Sequence, residues 1–198
     1  MPALQINETG SLITIASPDF EVDVDTSAGT ISSYTYNGVR LLHSGNVPNF
    51  WRAPLDNDYG NGMDSRCGTW RNAGQNRRVT NINLTTISAA VARVDVDFTI
   101  PTSIQSNMTT SYTVYGSGDI LVENTFSPGS SSLPEIPEVG AILTLPGGFE
   151  TVTWYAAAGQ MKITVTGKPG MTWACIQGLW IIFLSPISRP RSRETEQM

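Results

Sequence analysis

Apolar and polar side chains alternate through most of the first two thirds of the chain. Residues 11–16 (SLITIA) and 20–26 (FEVDVDT) alternate with a period of two, which is typical of a strand with one buried face. The dipeptide Asn37-Gly38 lies between two such runs and predicts a tight hairpin turn, because both residues tolerate a positive φ. These patterns predict antiparallel strands joined by short turns.

Longer alternating runs follow between residues 79 and 127. They read VTNINLTTIS, AAVARVDVDFTI, TTSYTVYGSGD and ILVENTFS, and they predict the strands of a large antiparallel sheet. The residues that we expect in its core are Val91, Val94, Val96 and Phe98. Residues 127–137 (SPGSSSLPEIP) predict a loop, because proline cannot donate to a strand ladder. Strand character returns from residue 140 to 155, so the pattern predicts an all-β protein built as a large β-sandwich.

The composition agrees with this class and narrows the choice of partners. Charged residues make up 15% of the 198, and the net charge is −5 at pH 7, so no basic stripe is available for nucleic acid. The apolar run at residues 179–184 is too short to cross a bilayer. The first residues show no export signal. We therefore expect a cytoplasmic protein without nucleic-acid or membrane partners.

Few side chains stand in a pattern that indicates catalysis. Cys67 and Cys175 lie far apart and form neither a zinc motif nor a disulfide framework. The single histidine, His43, has no nucleophile arranged with it. Asp95 and Asp97 alternate with apolar residues, which indicates the solvated face of a strand. The chain is therefore predicted to hold no catalytic residue and no metal site.

Residues 49–61 (NFWRAPLDNDYGN), called here the signature segment, are denser in polar and aromatic groups than the rest. Arg52 offers five donors in a fixed geometry. Asp56 and Asp58 are natural acceptors for Arg52 or for backbone N–H groups in a turn. The segment therefore predicts a tightly specified loop.

The order of these residues resembles the opening of the small-chain, C-terminal domain of family 2 β-galactosidases. The family pattern F-x-R-A-P-x-D-N-D-x-G falls on residues 50–60, and a second pattern, W-x-x-A-G, falls on Trp70, Ala73 and Gly74. Residues 137–155 are similar to a later strand of the family. The resemblance covers about residues 5–155 and implies part of a galactose-mutarotase-like super-β-sandwich of antiparallel strands.

The resemblance also implies the activity of a larger enzyme. Family members release terminal β-D-galactose from β-galactosides such as lactose by retaining hydrolysis, with two glutamates in a preceding barrel. Neither Glu135 nor Glu138 has the context to replace them, so we expect this chain alone to be inactive. The resemblance implies Mg²⁺ and Na⁺ for the intact enzyme and no cofactor in this chain. The implied partners are the barrel and sugar-binding domains of the same enzyme, its β-galactoside substrate and further copies in a homo-oligomer.

Two roles are open for Arg52, Asp56, Asn57 and Asp58 in such a domain. They brace the loop against a neighbouring domain, or they contact the hydroxyl groups of a bound sugar. Bracing is the favoured interpretation. A stand-alone carbohydrate-binding or mutarotase-like module is the alternative function, for which Trp51 and Tyr59 would be the aromatic platform.

The pattern changes at Ala156. Residues 156–198 have no clean period and lack the motifs that follow Trp154-Tyr155 in the family. When the last base of each codon is read with the first two of the next, residues 160–164 permit the family's D-E-N-Y, and residues 171–176 permit D-V-G-V-Y. One further match lies at the start of the tail and another at its end, and the four matches follow the order of the motifs in the family. We therefore predict a sandwich domain at residues 1–155 and an out-of-frame tail without native fold at residues 156–198.

Overall fold

The computed structural model describes residues 1–148 with their side chains and the backbone of four later strands. Those strands are β12 (Thr151–Ala156), β13 (Gly159–Thr164), β14 (Met171–Ala174) and β15 (Leu179–Leu184). Cys175 and most of the predicted tail lie outside the described residues, so the out-of-frame tail stays a prediction.

The first 148 residues are organised mainly as strands. The strands are β1 (Gln5–Thr9), β2 (Leu12–Ser17), β3 (Phe20–Asp25), β4 (Thr30–Tyr36), β5 (Val39–Leu42), β6 (Ser44–Asn49), β7 (Arg78–Ser88), β8 (Val91–Ile100), β9 (Ser106–Tyr115), β10 (Ile120–Ser127) and β11 (Gly140–Thr144). Two short helices, α1 (Asp56–Gly60) and α2 (Met63–Arg66), and a 3-10 turn at Gly68–Trp70 lie between β6 and β7. No helix in this part of the chain has the length and apolarity of a membrane span.

The strands form two large antiparallel sheets and one hairpin. The first sheet has the order β1-β2-β3-β4-β6-β11-β14, with β5 paired to β4, and the second has the order β15-β10-β9-β8-β7. The hairpin pairs β12 with β13. Apolar side chains of both sheets belong to one buried cluster, so the described chain is a β-sandwich. The predicted all-β, antiparallel sandwich class is confirmed.

The hairpin between β4 and β5 has the predicted turn. Asn37 and Gly38 have φ angles of 47° and 74°, and Tyr36 pairs with Val39 across them. A two-residue turn with both φ angles positive matches the right-handed twist of the flanking strands. The local sequence was therefore sufficient to specify this connection.

The buried residues confirm the predicted alternation along β8 but show that one residue was assigned to the wrong face. Val94, Val96 and Phe98 are buried between the sheets. Val91 is only half-buried, and its neighbour Ala92 is fully buried instead. Because successive side chains of a strand point to opposite faces, Val91 lies on the outer face and its prediction as a core residue was wrong.

Three local features of the fold depart from the sequence pattern. Strands β1 and β6 were not predicted, and the region from 140 to 155 is not one run. Strand β11 ends before a turn in which Gly148 has a φ angle of 99°, and β12 pairs in the separate hairpin. Strand β6 (SGNVPN) contains glycine and proline, and it forms because β4 and β11 both pair with it.

Buried polar contacts join the two sheets across the sandwich. The Tyr112 hydroxyl donates to the Gly29 carbonyl oxygen at 3.0 Å, and the Asn46 amide donates to Asn124 Oδ1 at 3.1 Å. Burial raises the pKa of Tyr112 to about 12, so its hydroxyl stays a donor at neutral pH. These pairs fix how one sheet sits on the other, since each satisfies a polar group that water cannot reach.

Asp95 and Asp97 lie on the outer face of β8, as predicted. Asp95 accepts hydrogen bonds from Arg93 at 2.7 Å and from Ser111 at 2.5 Å. Asp97 accepts one from Thr109 at 2.7 Å. Their partners are neighbours on the same sheet face, so both acids belong to a solvated polar ladder.

Candidate functional site

The signature segment follows β6 and runs into α1, and its aromatic anchors lie in the core. Phe50 and Trp70 are each 1% exposed, and their ring centroids are 5.7 Å apart. Both rings also pack on Phe126 of β10, with centroid distances of 5.1 and 5.9 Å. The first residues of the two sequence patterns therefore meet in one aromatic cluster that fixes the segment to the sandwich.

The second pattern ends at a close approach of two backbone segments. A Cβ atom added to Gly74 would lie 1.8 Å from the carbonyl oxygen of Pro48. Ala73, beside it, is 2% exposed. Only glycine fits at residue 74, because any side chain would overlap backbone that β6 holds in place.

Arg52 and Asp58 form the central contact of the site. The guanidinium donates to both carboxylate oxygens, at 2.5 Å from Nη1 to Oδ2 and 2.9 Å from Nη2 to Oδ1. Asp58 Oδ2 also accepts the backbone N–H of Leu55 at 2.7 Å. A two-pronged charged pair of this kind fixes orientation as well as distance. It ties the chain before α1 to the first turn of that helix.

The same contacts change the proton affinity of both groups. The hydrogen bonds from Arg52, and then that from the Leu55 N–H, lower the pKa of Asp58 below its ordinary value of 3.8. Asp58 in turn raises the pKa of Arg52. The carboxylate therefore stays charged, and the loop stays fastened, throughout the neutral range.

Asp56 and Asn57 do not join this pair. Both are exposed, and neither side chain makes a hydrogen bond within the described residues. Of the two acids predicted to accept from Arg52 or from backbone N–H groups, Asp58 makes both contacts and Asp56 makes neither within the described residues, because Asp58 is buried on α1 while Asp56 is exposed. The structure thus brings together two of the four predicted residues, and sugar contact by any of them stays a prediction.

A Pro-rich loop between β10 and β11 is fastened to the same region. Trp70 Nε1 donates to the Pro134 carbonyl oxygen at 3.0 Å, and Arg66 pairs with Glu135. Asn49 Nδ2 donates to Glu138 at 3.3 Å. Sequence reasoning did not find these contacts, since no local pattern relates residues more than sixty positions apart. Glu135 and Glu138 therefore each make a contact that holds this loop.

A cleft of about 230 Å³ lies between the loop and the helices. Its lining combines Arg52, Asp58, Arg66 and Glu135 with apolar groups of Met63 and Ile136. The charged groups are already paired with one another. The charged groups of the cleft therefore do not form an acid and a base set apart for proton transfer.

The residues of the site do not fit a bound cation. No group of three or more His, Cys, Asp or Glu side chains comes together in the described part of the chain. Both oxygens of Asp58 face the positive Arg52, which would repel Mg²⁺ or Na⁺. Cys67, which also lines the cleft, is a buried free thiol, and His43 lies elsewhere and is exposed.

The fold and the site define an antiparallel β-sandwich whose polar cluster holds a loop in place. Comparison with known proteins identifies the family to which the chain belongs. The model of the family described as beta galactosidase small chain matches residues 16–160. The chain belongs to this family, as the signature segment indicated.

Individual relatives agree with this assignment. The chain is 36% identical over 154 residues to a beta-galactosidase of Priestia megaterium, which covers 78% of this chain and 15% of the relative. It is 30% identical to a beta-galactosidase of Halalkalibacterium halodurans, with the same two shares. It is 29% identical to a beta-galactosidase small subunit of Latilactobacillus sakei, which covers 67% of this chain and 47% of that protein. The chain thus spans a minor part of the relatives that it matches, and a stand-alone module is not favoured.

Proposed function

We propose that the chain works as the C-terminal sandwich of a β-galactosidase and acts together with the rest of that enzyme. The family match across residues 16–160 is the observation that carries this proposal. The matched region includes the signature segment and the W-x-x-A-G pattern, whose aromatic residues pack in one cluster. The whole enzyme would remove terminal β-D-galactose from β-galactosides such as lactose, with this domain walling the active site and supporting a homo-oligomer.

The chemistry of the proposed enzyme belongs to its other domains. Retaining hydrolysis needs two carboxylic residues on either side of the glycosidic bond. Glu135 and Glu138 are occupied in holding the Pro-rich loop, so the glutamates would come from the barrel. Mg²⁺ and Na⁺, where the intact enzyme uses them, would also bind outside this chain. The chain alone would then be inactive.

The role of Arg52 and Asp58 in this proposal is to brace the signature segment. Asp58 is 8% exposed, and both of its carboxylate oxygens accept hydrogen bonds from within the segment, from Arg52 and from the Leu55 N–H. Packing of another domain on a rigid loop costs less conformational entropy than packing on a flexible loop. The supporting observation is therefore the completeness of the Arg52–Asp58 contact.

The out-of-frame tail is also part of the proposal. The family match ends at residue 160, close to the predicted boundary at Ala156. A tail without native partners would leave open strand edges, so we expect marginal stability and aggregation of the isolated chain. Sequencing the coding DNA tests this: a shifted frame that lacks G-R-G-P-x-E-N-Y would contradict it, as would a sharp cooperative melt of soluble monomer.

Complementation tests the proposed function directly. A Priestia megaterium beta-galactosidase from which the region matching this chain has been deleted is mixed with the chain, and hydrolysis of a chromogenic galactoside is followed. We expect no activity from either component alone and activity from the mixture. The excised region of the same enzyme, supplied separately, is the positive control. If only the control restores hydrolysis, the proposed function is wrong.

A further inference from the structure

Strand β7 lies at one edge of the second sheet. It has 11 residues, and among the described strands it pairs only with β8. In an antiparallel ladder, alternate residues of an edge strand direct their backbone N–H and C=O groups away from the neighbouring strand. A long edge of this kind can therefore pair with a strand of another chain.

The edge of β7 lacks the side chains with which proteins usually prevent such pairing. Residues 79–92 contain neither a charged residue nor a proline, although the chain as a whole has a net charge of −5. Residues 82–87 (INLTTI) combine high β-propensity with no glycine, which is the composition of segments that associate as strands. Two register shifts lie near the ends of β7 and leave residues 81–86 regularly paired. The free side of residues 81–86 is called here the β7 edge.

The core is less completely covered at β7 than elsewhere in its sheet. None of the 11 residues of β7 is buried, whereas alternate residues of β8 are. Val79, Ile82 and Leu84 pack against the core cluster but are only half-buried. A further strand beside β7 would remove more of this apolar surface from water, in addition to forming backbone hydrogen bonds.

We propose that the β7 edge pairs antiparallel with the same edge of a second copy of this chain. Two identical strands related by a two-fold axis make the same contacts on each copy, so the contact closes as a dimer. Charge favours this edge, because the segments that meet are uncharged. The acids beside β7 are Asp95 and Asp97, which lie one strand further from the contact, and Asp95 is paired with Arg93. Strand β1, at the edge of the first sheet, carries Glu8 and lacks this advantage.

The dimer is expected to be weak and to depend on concentration. A stable interface buries about 800 Å² on each partner, which is more than one pair of short strands provides. The contact goes beyond the proposed function, since it needs no other domain of the enzyme. It also lies in the region that matches the family, whereas the open edges expected from the out-of-frame tail are a separate source of association.

Sedimentation velocity of the full chain over a range of concentrations measures the share of monomer. The variant Asn83→Lys/Thr85→Lys places two positive charges on the β7 edge, and the paired copy brings two more beside them. Because like charges across a strand pair are destabilising, the dissociation constant of the dimer should rise about tenfold or more. The matched control is Gln5→Lys/Asn7→Lys on β1, which changes the net charge equally and should not weaken association. All four residues are exposed, so both variants should keep the circular dichroism spectrum of the parent.

Association that only the β7 variant weakens supports the proposal. A parent that stays monomeric at every concentration overturns it. Association that neither variant weakens also overturns it, because the contact would then lie elsewhere, as in the tail. Equal weakening by both variants would show a general effect of charge and would contradict the β7 edge as the contact. The complementation test does not depend on these results, so the proposed function is judged separately.

Discussion

The sheet formed by β7–β10 and the connection between β6 and β7 (residues 50–77) pack on the same core, but different kinds of interaction hold them in place. The sheet buries apolar side chains of β8, β9 and β10, and its strands pair from Arg78 to Ser127 with two register shifts between β7 and β8. The connection has two short helices and a 3-10 turn, and single contacts hold it in place. A sheet of this kind depends on apolar volume, whereas the connection depends on the identity of individual residues.

That difference appears in what each region tolerates. Val94, Val96 and Phe98 share a buried face, so a neighbouring side chain can adjust to the loss of one methyl group. Gly74 has no such latitude, because an added carbon would overlap a backbone oxygen. The connection should therefore lose more stability at Gly74 than the sheet loses when a single carbon is changed in its core.

Removing the Trp70 ring should have the largest effect. Trp70→Ala is expected to cost about 3–5 kcal/mol, since the ring is buried against Phe50 and Phe126. Urea unfolding followed by circular dichroism, at protein concentrations low enough to keep the chain soluble, measures it. Trp70→Phe is the control, because it keeps an aromatic ring and loses the bond to Pro134. Equal losses for both variants would show that ring packing is not the main contribution.

Adding one methyl group at the close approach should have the next largest effect. Gly74→Ala is expected to cost about 1–3 kcal/mol, because the new Cβ would overlap the Pro48 carbonyl oxygen. The matched control is Gly60→Ala in α1, where nothing lies within 4 Å of the added carbon. Alanine is the better helix former, so the control should be neutral or slightly stabilising in the same urea assay. A tolerated Gly74→Ala would contradict the comparison between the two regions.

A conservative change in the sheet should cost less. Ile100→Val removes one methylene from a fully buried side chain of β8, for an expected loss of about 0.5–1.5 kcal/mol. The midpoint of urea unfolding should shift by less than it does for Gly74→Ala, although both substitutions involve a single carbon. The reverse order would mean that the sheet is the less tolerant region.

The smallest effect is expected from Asp58→Asn, and it should depend on pH. Because the folded-state pKa of Asp58 is lowered, its charge stabilises the fold above the ordinary value of 3.8, and this contribution is lost as pH falls through the folded-state pKa. The stability difference between parent and variant should therefore be present at pH 7 and shrink below about pH 4. Urea unfolding at several pH values measures it. Asp56→Asn is the control, and a similar pH dependence for that exposed residue would argue against the Arg52–Asp58 contact as the cause.

Much of the fold could be predicted from sequence because strand patterns are local. The period of two located β2–β4 and β7–β10, and Asn37-Gly38 specified a hairpin turn. Strand β6 escaped prediction because its pairing partners, β4 and β11, supply what its own residues do not favour. Val91 was misplaced because apolar character alone does not say which face of β8 is buried.

The candidate site was predictable as a segment but not as a set of contacts. The order of residues 50–60 was enough to indicate the family. The choice of Asp58 over Asp56 as the partner of Arg52 depended on where α1 begins and which way it turns. The link from Trp70 to Pro134 depended on two loops meeting at one end of the sandwich.

The sequence by itself determined the all-β class, the faces of most strands and the family, because each of these depends on residues that are near one another along the chain. Tertiary structure alone decided which acid holds Arg52, why residue 74 must be glycine, and that Leu55 and Tyr59 remain exposed. These features arise between elements far apart in sequence, where the packing of backbone and side chains in three dimensions sets the distances.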